Sequence, residues 1–292
     1  MLLFLAALLP CLAWDQDPAV PAQLGIDRIC SSSQTDSKPI QKLPIPGVEY
    51  RMNEASASRS PWVDANGWRI LRNPNARFAY DTPGEAASIA AAEAFAYGAD
   101  ASVHTDAKGA ASYGALFAFL KQLKPAPLPP MANIGVVDDG SDVTGELMNL
   151  LARRNLLFKI VSAPDPGLDL YVRIGSREYP KSEASNPNML AHKIRSDLTD
   201  DKRILRLYGS EVVIGHLTGD RTRARLHLID YDKRPVRGLR VRVLGVYPKH
   251  ELYVSGVPGA KLLDYTTGQG ATEFTVAEMS RYAVVDLYAS PR

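Results

Sequence analysis

The feature that most constrains this chain is a change of hydrophobic period near Ile204. Upstream, short apolar runs alternate with stretches of helical spacing. Downstream, apolar residues recur at every second position, with no helical pattern between the runs. The alternation is clear at Val212/Ile214, Leu226/Leu228 and Leu239/Val241/Val243. Further runs lie at Leu252–Val254, Phe274–Val276 and Tyr282–Leu287, with turns at Thr218-Gly219-Asp220 and Gly268-Gln269-Gly270. Strands in such number must bury one face of each sheet on another, which predicts an antiparallel β-sandwich over residues 202–292. The fold class expected is therefore α/β followed by all-β.

The α/β part divides at a proline-rich spacer, residues 125–131 (Pro125, Pro127, Pro129 and Pro130), because proline holds the backbone extended and blocks a helix. Residues 47–124 read as a partial TIM-barrel-like or open α/β portion. Val48, Tyr50 and Met52 alternate in a strand that ends at Asn53-Glu54. Residues 56–75 read as a structured loop. Arg77–Asp81 is a short strand, and Thr82, Pro83 and Glu85 form the signature of a capped helix start. Ala101–Asp106 is the next strand, and Leu116, Phe119, Leu120 and Leu123 stripe a helix over 113–123. Residues 132–201 read as a small Rossmann- or flavodoxin-like unit: strand Ile134–Val137, turn Asp138–Asp142, a helix striped by Leu147 and Leu151, strands Leu156–Val161 and Leu168–Ile174, and a helix over Met189–Leu198.

The first 14 residues, an apolar run closed by Ala13-Trp14, have the length of a signal-peptide core and are too short to span a bilayer. They predict export, to the periplasm or outside the cell. Residues 15–46 are polar and proline-punctuated, which reads as an irregular tether. With residues 1–14 removed, Cys30 would stand alone, excluding an intramolecular disulfide and a cysteine zinc site. The 292 residues are 46% hydrophobic and 23% charged, with net charge +2, a globular balance too mild for a nucleic-acid partner. No later segment is apolar enough for a transmembrane anchor. The five histidines lack metal spacing, so neither metal nor other cofactor is expected. Arg223, Arg225, His227, Arg240 and Arg242 alternate with apolar residues and predict a solvated sheet face.

Candidate site residues come from strand ends and from one aromatic loop. Asp138-Asp139 after a first strand suggests a receiver-type or dehalogenase-type acid pair. The strand Leu170–Ile174 ends without an acid, however, and no second acid follows Asp138 two residues on, so the pair reads as polar residues leading into a helix. Glu54, Asp81 and Asp106 each end a strand. Side chains at strand carboxyl ends of α/β sheets converge on sites, and two carboxylates about 5–9 Å apart would supply the acid and base of glycoside hydrolysis. The competing readings are helix capping, solvation and non-catalytic sugar contact. Asn53, Trp62, Asp64, Asn66, Trp68 and Arg69 combine aromatic faces with polar groups, a composition suited to sugar rings and equally to packing under a loop.

The order of parts, with Ala132-Asn133-Ile134-Gly135-Val136-Val137 opening the second unit and Asn53-Glu54 ending an earlier strand, resembles the rear of family 42 glycoside hydrolases (β-galactosidases). There a TIM barrel precedes an amidotransferase-like α/β domain and a final β domain. The resemblance implies a barrel remnant, with Asn53-Glu54 in the place of that clan's acid/base dipeptide, and a homo-oligomer formed through the Rossmann-like unit. About 50 residues precede Glu54, too few for three β/α units, so the implied protein is truncated and its catalysis doubtful. The expectation is an exported glycoside-hydrolase-like protein that acts on or binds carbohydrate. The alternative is a non-enzymatic carbohydrate-binding or oligomerisation module of the cell envelope.

Overall fold

A computed structural model describes residues 9–31, 40–52 and 59–289, except the side chains of residues 51, 52, 59 and 60. Five parallel strands form the first sheet, in the spatial order Ile29–Cys30, Cys11–Ala13, Asp100–His104, Arg77–Asp81, Ile40–Leu43. The first described strand of this sheet therefore pairs with its last, and the order is that of a ring cut between Ile29–Cys30 and Ile40–Leu43. A β/α barrel closes eight strands in this cyclic sense; five are present among the described residues. Leu12, Val103, Tyr80 and Leu43 lie in one register row, buried beneath the helices Ala86–Ala96 and Ala107–Leu120. The opposite face carries Cys11, Ser102, Ala79 and Lys42, none of which is buried.

This arrangement departs from the sequence reading at several points. Residues 11–14, read as the end of a leader, hold Leu12, Ala13 and Trp14 in the core. Cleavage after Trp14 would remove a strand that has neighbours on both sides. Cys11 and Cys30 are joined in a disulfide, which the sequence reading excluded. The supposed tether supplies Ile29–Cys30 and Ile40–Leu43 to the sheet. The strand Gly47–Met52, by contrast, pairs antiparallel with Arg59–Asp64 in a separate hairpin, and the helix Gly67–Arg72 follows where a loop was expected.

Two helix starts follow local chemistry and a third, expected to, does not. Asp106 caps Ala107–Leu120 by accepting from Gly109 N, and Ser141 caps Asp142–Arg153 by accepting from Thr144 N. Thr82 does not cap Ala86–Ala96. Its N–H is bound to the His104 carbonyl and its carbonyl takes the Thr105 hydroxyl at 2.5 Å, so the sheet fixes its backbone. Glu85 is drawn instead to Arg281, at 2.6 Å.

The second unit is a three-stranded parallel sheet in the order Leu170–Val172, Ile134–Val136, Phe158–Ile160. The helices Asp142–Arg153 and Pro187–Lys202 pack on it through Leu147, Leu151, Leu190 and Ile194. Two four-stranded antiparallel sheets complete the chain. One runs Leu205–Tyr208, Val236–Leu244, Ala271–Met279, Leu262–Gly268; the other runs Val213–Gly219, Arg223–Asp230, Tyr282–Tyr288, Lys249–Val254. They share a core of Leu217, Leu226, Leu228, Val241, Phe274 and Val285. The second sheet is covered on its other face as well, by the Ala86–Ala96 helix, against which Ile214, Ile229, Tyr231, Tyr282 and Val284 pack. Arg225 and His227, expected in solvent, are consequently buried: Arg225 makes a two-pronged pair with Asp286 at 2.6 Å, and His227 Nδ1 lies 2.5 Å from the Tyr282 hydroxyl. Arg240 stays at the surface, on Glu273.

Candidate functional site: a strand-end dyad and an arginine cleft

At the carboxyl edge of the five-stranded sheet, the parallel register sets Asp81 beside His104. Asp81 Oδ1 lies 2.9 Å from His104 Nδ1, with the Asp81 side chain 87% exposed. Asp106, two residues beyond His104, accepts from Gly109 N at 2.6 Å and Gly84 N at 3.0 Å. Those two amides, Gly109 foremost, hold its carboxyl below the usual range. Asp106 is thus engaged as a helix cap. Asn53 and Glu54 lie outside the described residues, and the strand before them belongs to the hairpin. The three acids expected along one sheet edge therefore do not follow strands of one sheet; Asp81 and Asp106 do.

The aromatic loop divides between surface and interior. Trp62 lines a cleft, with its Nε1 donating to Asp64 Oδ1 at 3.1 Å and the Arg153 guanidinium 3.8 Å from its ring centre. Asn66 is buried and gives its backbone and side-chain N–H groups to Glu93. Trp68 is buried with the second unit's core. Arg69 lies over the Trp68 ring at 4.2 Å and donates to Ala65 O and Asn66 Oδ1. Asn66, Trp68 and Arg69 therefore build the junction between units, while Trp62 and Asp64 stand at the cleft's edge.

The cleft, about 930 Å³, opens where the hairpin, the second unit and the antiparallel sheets meet. Pro61 and Trp62 come from the hairpin, Glu146, Arg153 and Arg154 from one helix, Arg195 from another, and Tyr208 and Glu211 from the β part. Arg203 closes its floor, with its side chain 8% exposed. None of the four arginines was singled out from the sequence. Arg153-Arg154 ends a helix, where basic residues are ordinary, and only the packing of the next helix brings Arg195 and Arg203 alongside. Among the described residues no group of three or more His, Cys, Asp or Glu is placed to hold a metal ion, and no helix is long and apolar enough to cross a membrane.

A parallel β/α sheet in cyclic order, a second α/β unit and terminal antiparallel sheets give the chain a glycoside-hydrolase-like fold. It is similar to α-L-fucosidase isoenzyme 2 from Paenibacillus thiaminolyticus, with a TM-score of 0.60 at 10% identity over 77% of this chain and 62% of that one. The chain thus spans less than two thirds of that enzyme's length, and at this identity the likeness is one of fold. An exo-carrageenase from Bacteroides ovatus superposes more loosely, with a TM-score of 0.38 at 7% identity over 78% of this chain and 45% of that one. No protein-family model matches the chain, and no curated protein matches it.

Proposed function

We propose that this chain binds carbohydrate in the cleft beside Trp62 without hydrolysing it. The observation that carries the reading is the indole of Trp62, held by Arg153 on the wall of a cleft wide enough for a saccharide. The C–H face of a sugar ring packs on such a surface, and polar groups around it fix orientation. Hydrolysis asks for two carboxyl groups about 5–9 Å apart across a glycosidic bond. Of the acids read from the sequence as catalytic, Asp106 is occupied as a cap, Asp81 is paired with a histidine, and neither lines this cleft, which favours binding. The fold supports carbohydrate as the ligand class by analogy. The Cys11–Cys30 disulfide favours an oxidising compartment, outside the cell or in the periplasm. We read residues 132–201 as a Rossmann-like unit and 202–292 as a β-sandwich, the accessory parts that form the cleft's other walls.

A glycan array followed by titration of the best ligand tests this. Trp62→Ala is expected to weaken binding at least about tenfold, the scale of one lost aromatic stack, with thermal unfolding unchanged. Chromogenic glycosides are expected to turn over no faster than in buffer. Turnover that disappears in Glu54→Gln would overturn the reading in favour of a hydrolase.

A second reading, assembly, is favoured by the exposed Ile29 and Ile40 on the two outermost strands of the cut ring. Apolar edge strands invite pairing with another chain. Sedimentation velocity over a concentration series decides it: association abolished by Ile40→Lys would support this reading, and a monomer at every concentration would remove it.

A further inference from the structure

Among the described residues, Arg154 has no carboxylate partner, and Arg195 and Arg203 share one. Arg154 is half-buried, and its guanidinium hydrogen bonds among the described residues all go to neutral groups: Leu150 O at 3.0 Å, Asn188 Oδ1 at 2.5 Å and His192 Nε2 at 3.4 Å. Arg195 reaches a single carboxylate, Asp200, at 3.6 Å, and Asp200 is shared with Arg203 at 3.2 Å. Arg203 also donates to the Arg154 backbone carbonyl, so it links the backbone at Arg154 to Asp200 and, through Asp200, to Arg195, and its Nε is buried without a partner among the described residues. Burial, and then the neighbouring Arg195, make the Arg154 charge harder to hold. An ion pair within the protein would have relieved this cost; an incoming anion can do the same. Glu146 and Glu211 also line the cleft. Glu146 also acts electrostatically on Arg69, so acidic and basic side chains share the cleft lining.

We propose that the cleft selects an acidic saccharide, one bearing a carboxylate or sulfate, whose oxyanion sits on Arg154 and Arg195 while a sugar ring lies along Trp62. The proposal rests on the carbohydrate reading above and adds the ligand's charge. Arg203 serves as a positioning residue, fixing the Arg154 backbone from beneath. Charge-assisted, two-pronged recognition of an oxyanion is what guanidinium groups supply, and Glu146 and Glu211 would turn away a ligand charged along its whole length.

The test is isothermal titration with three oligosaccharides of one backbone, neutral, carboxylated and sulfated, beside inorganic sulfate alone. The expected result is binding of at least one acidic form about tenfold or more tighter than the neutral form, weakening as salt is raised, with sulfate far weaker. Arg154→Gln and, separately, Arg195→Gln should erase the preference for the acidic form, whereas Trp62→Ala should weaken acidic and neutral forms alike and keep the preference. Equal affinity for acidic and neutral forms would overturn the anion proposal and leave the carbohydrate reading standing. Sulfate binding as tightly as the acidic sugars would overturn it in favour of a bare anion site. Failure of all three saccharides to bind would overturn both. An unchanged circular dichroism spectrum and melting temperature qualify each variant, and the two arginine variants stand in for one another should either fail to fold.

Discussion

Glu93 is fully buried on the Ala86–Ala96 helix and accepts from Asn66 N at 2.6 Å, Asn66 Nδ2 at 3.0 Å, Tyr80 Oη at 3.1 Å and Tyr231 Oη at 2.7 Å. These donors come from the hairpin junction, the parallel sheet and the antiparallel sheet, so one carboxyl links three parts of the chain. Burial pushes its pKa up while the donors pull it back. Glu93→Ala strands four buried donors and should cost about 3 kcal/mol, read as a lowered urea midpoint. Stability against pH is set by opposed buried groups nearby. Burial holds His216 at about 4, and His227 well below its ordinary value. The unfolded histidine takes up its proton near pH 6.5, so the fold loses stability as pH falls from 6.5 to 4, by about 3 kcal/mol for His216. Asp230 is pushed up to about 7 by burial. It keeps its proton in the fold where the unfolded chain loses it, adding stability at low pH that is lost as pH rises from about 4 to 7. Asp230→Asn deletes the opposing contribution. Urea midpoints between pH 6.5 and 4 should therefore fall more steeply in the variant than in the wild type; equal slopes would show that Asp230 does not titrate this way.

At the scale of elements, the Ala86–Ala96 helix is the piece most dictated by its surroundings. Every residue from Ala87 to Ala96 is buried, because the helix lies between the parallel sheet and the sheet containing Arg223–Asp230. Only small side chains let both sheets approach so closely. Ala90→Leu should destabilise by about 1–3 kcal/mol through overpacking, seen as a lower melting temperature with ligand affinity unchanged. Among the described residues the outer strand Ile29–Cys30 has a single neighbour, Cys11–Ala13, to which the disulfide ties it. Closing a loop of 19 residues restricts the unfolded chain by about 3 kcal/mol. Melting under reducing conditions should show that loss, and Cys30→Ser should show it without reductant.

For the molecule as a whole, the cleft exists only because three parts meet. The hairpin brings Trp62, the second unit Arg154 and Arg195, and the antiparallel sheets Tyr208 and Glu211. A ligand held there binds the native arrangement and not the separated parts. At a hundred times its dissociation constant it should raise stability by about 2.7 kcal/mol. Calorimetry should show the whole unfolding transition moving upward; a shift confined to one of two transitions would show that the walls are not coupled. The cut ring is the other property of this scale. Its uncovered face and outer strands leave Asp81 and His104 at an open edge, where a closed barrel would have walled them in.

The sequence by itself determined what local chemistry governs. The change of period near Ile204 separated the α/β part from the β part, the polar turn Asp138–Asp142 led into a helix that Ser141 caps, and Ile134–Val137 read as a strand, of which Ile134–Val136 is paired. The helix read over 113–123 begins instead at Ala107, where Asp106 caps it. Capping and periodicity act over a few residues, so they are legible along the chain. Tertiary structure decided which strands share a sheet. Cys11–Ala13 had the apolar look of a leader, and its place in the sheet depends on pairing with Asp100–His104, some ninety residues away. Gly47–Met52 alternates as any strand does, and only its partner shows that it leaves the parallel sheet for a hairpin. The cleft was the least legible feature. Its arginines are ordinary surface residues along the chain, and they become a site only where separate elements pack their charges together with too few carboxylates between them.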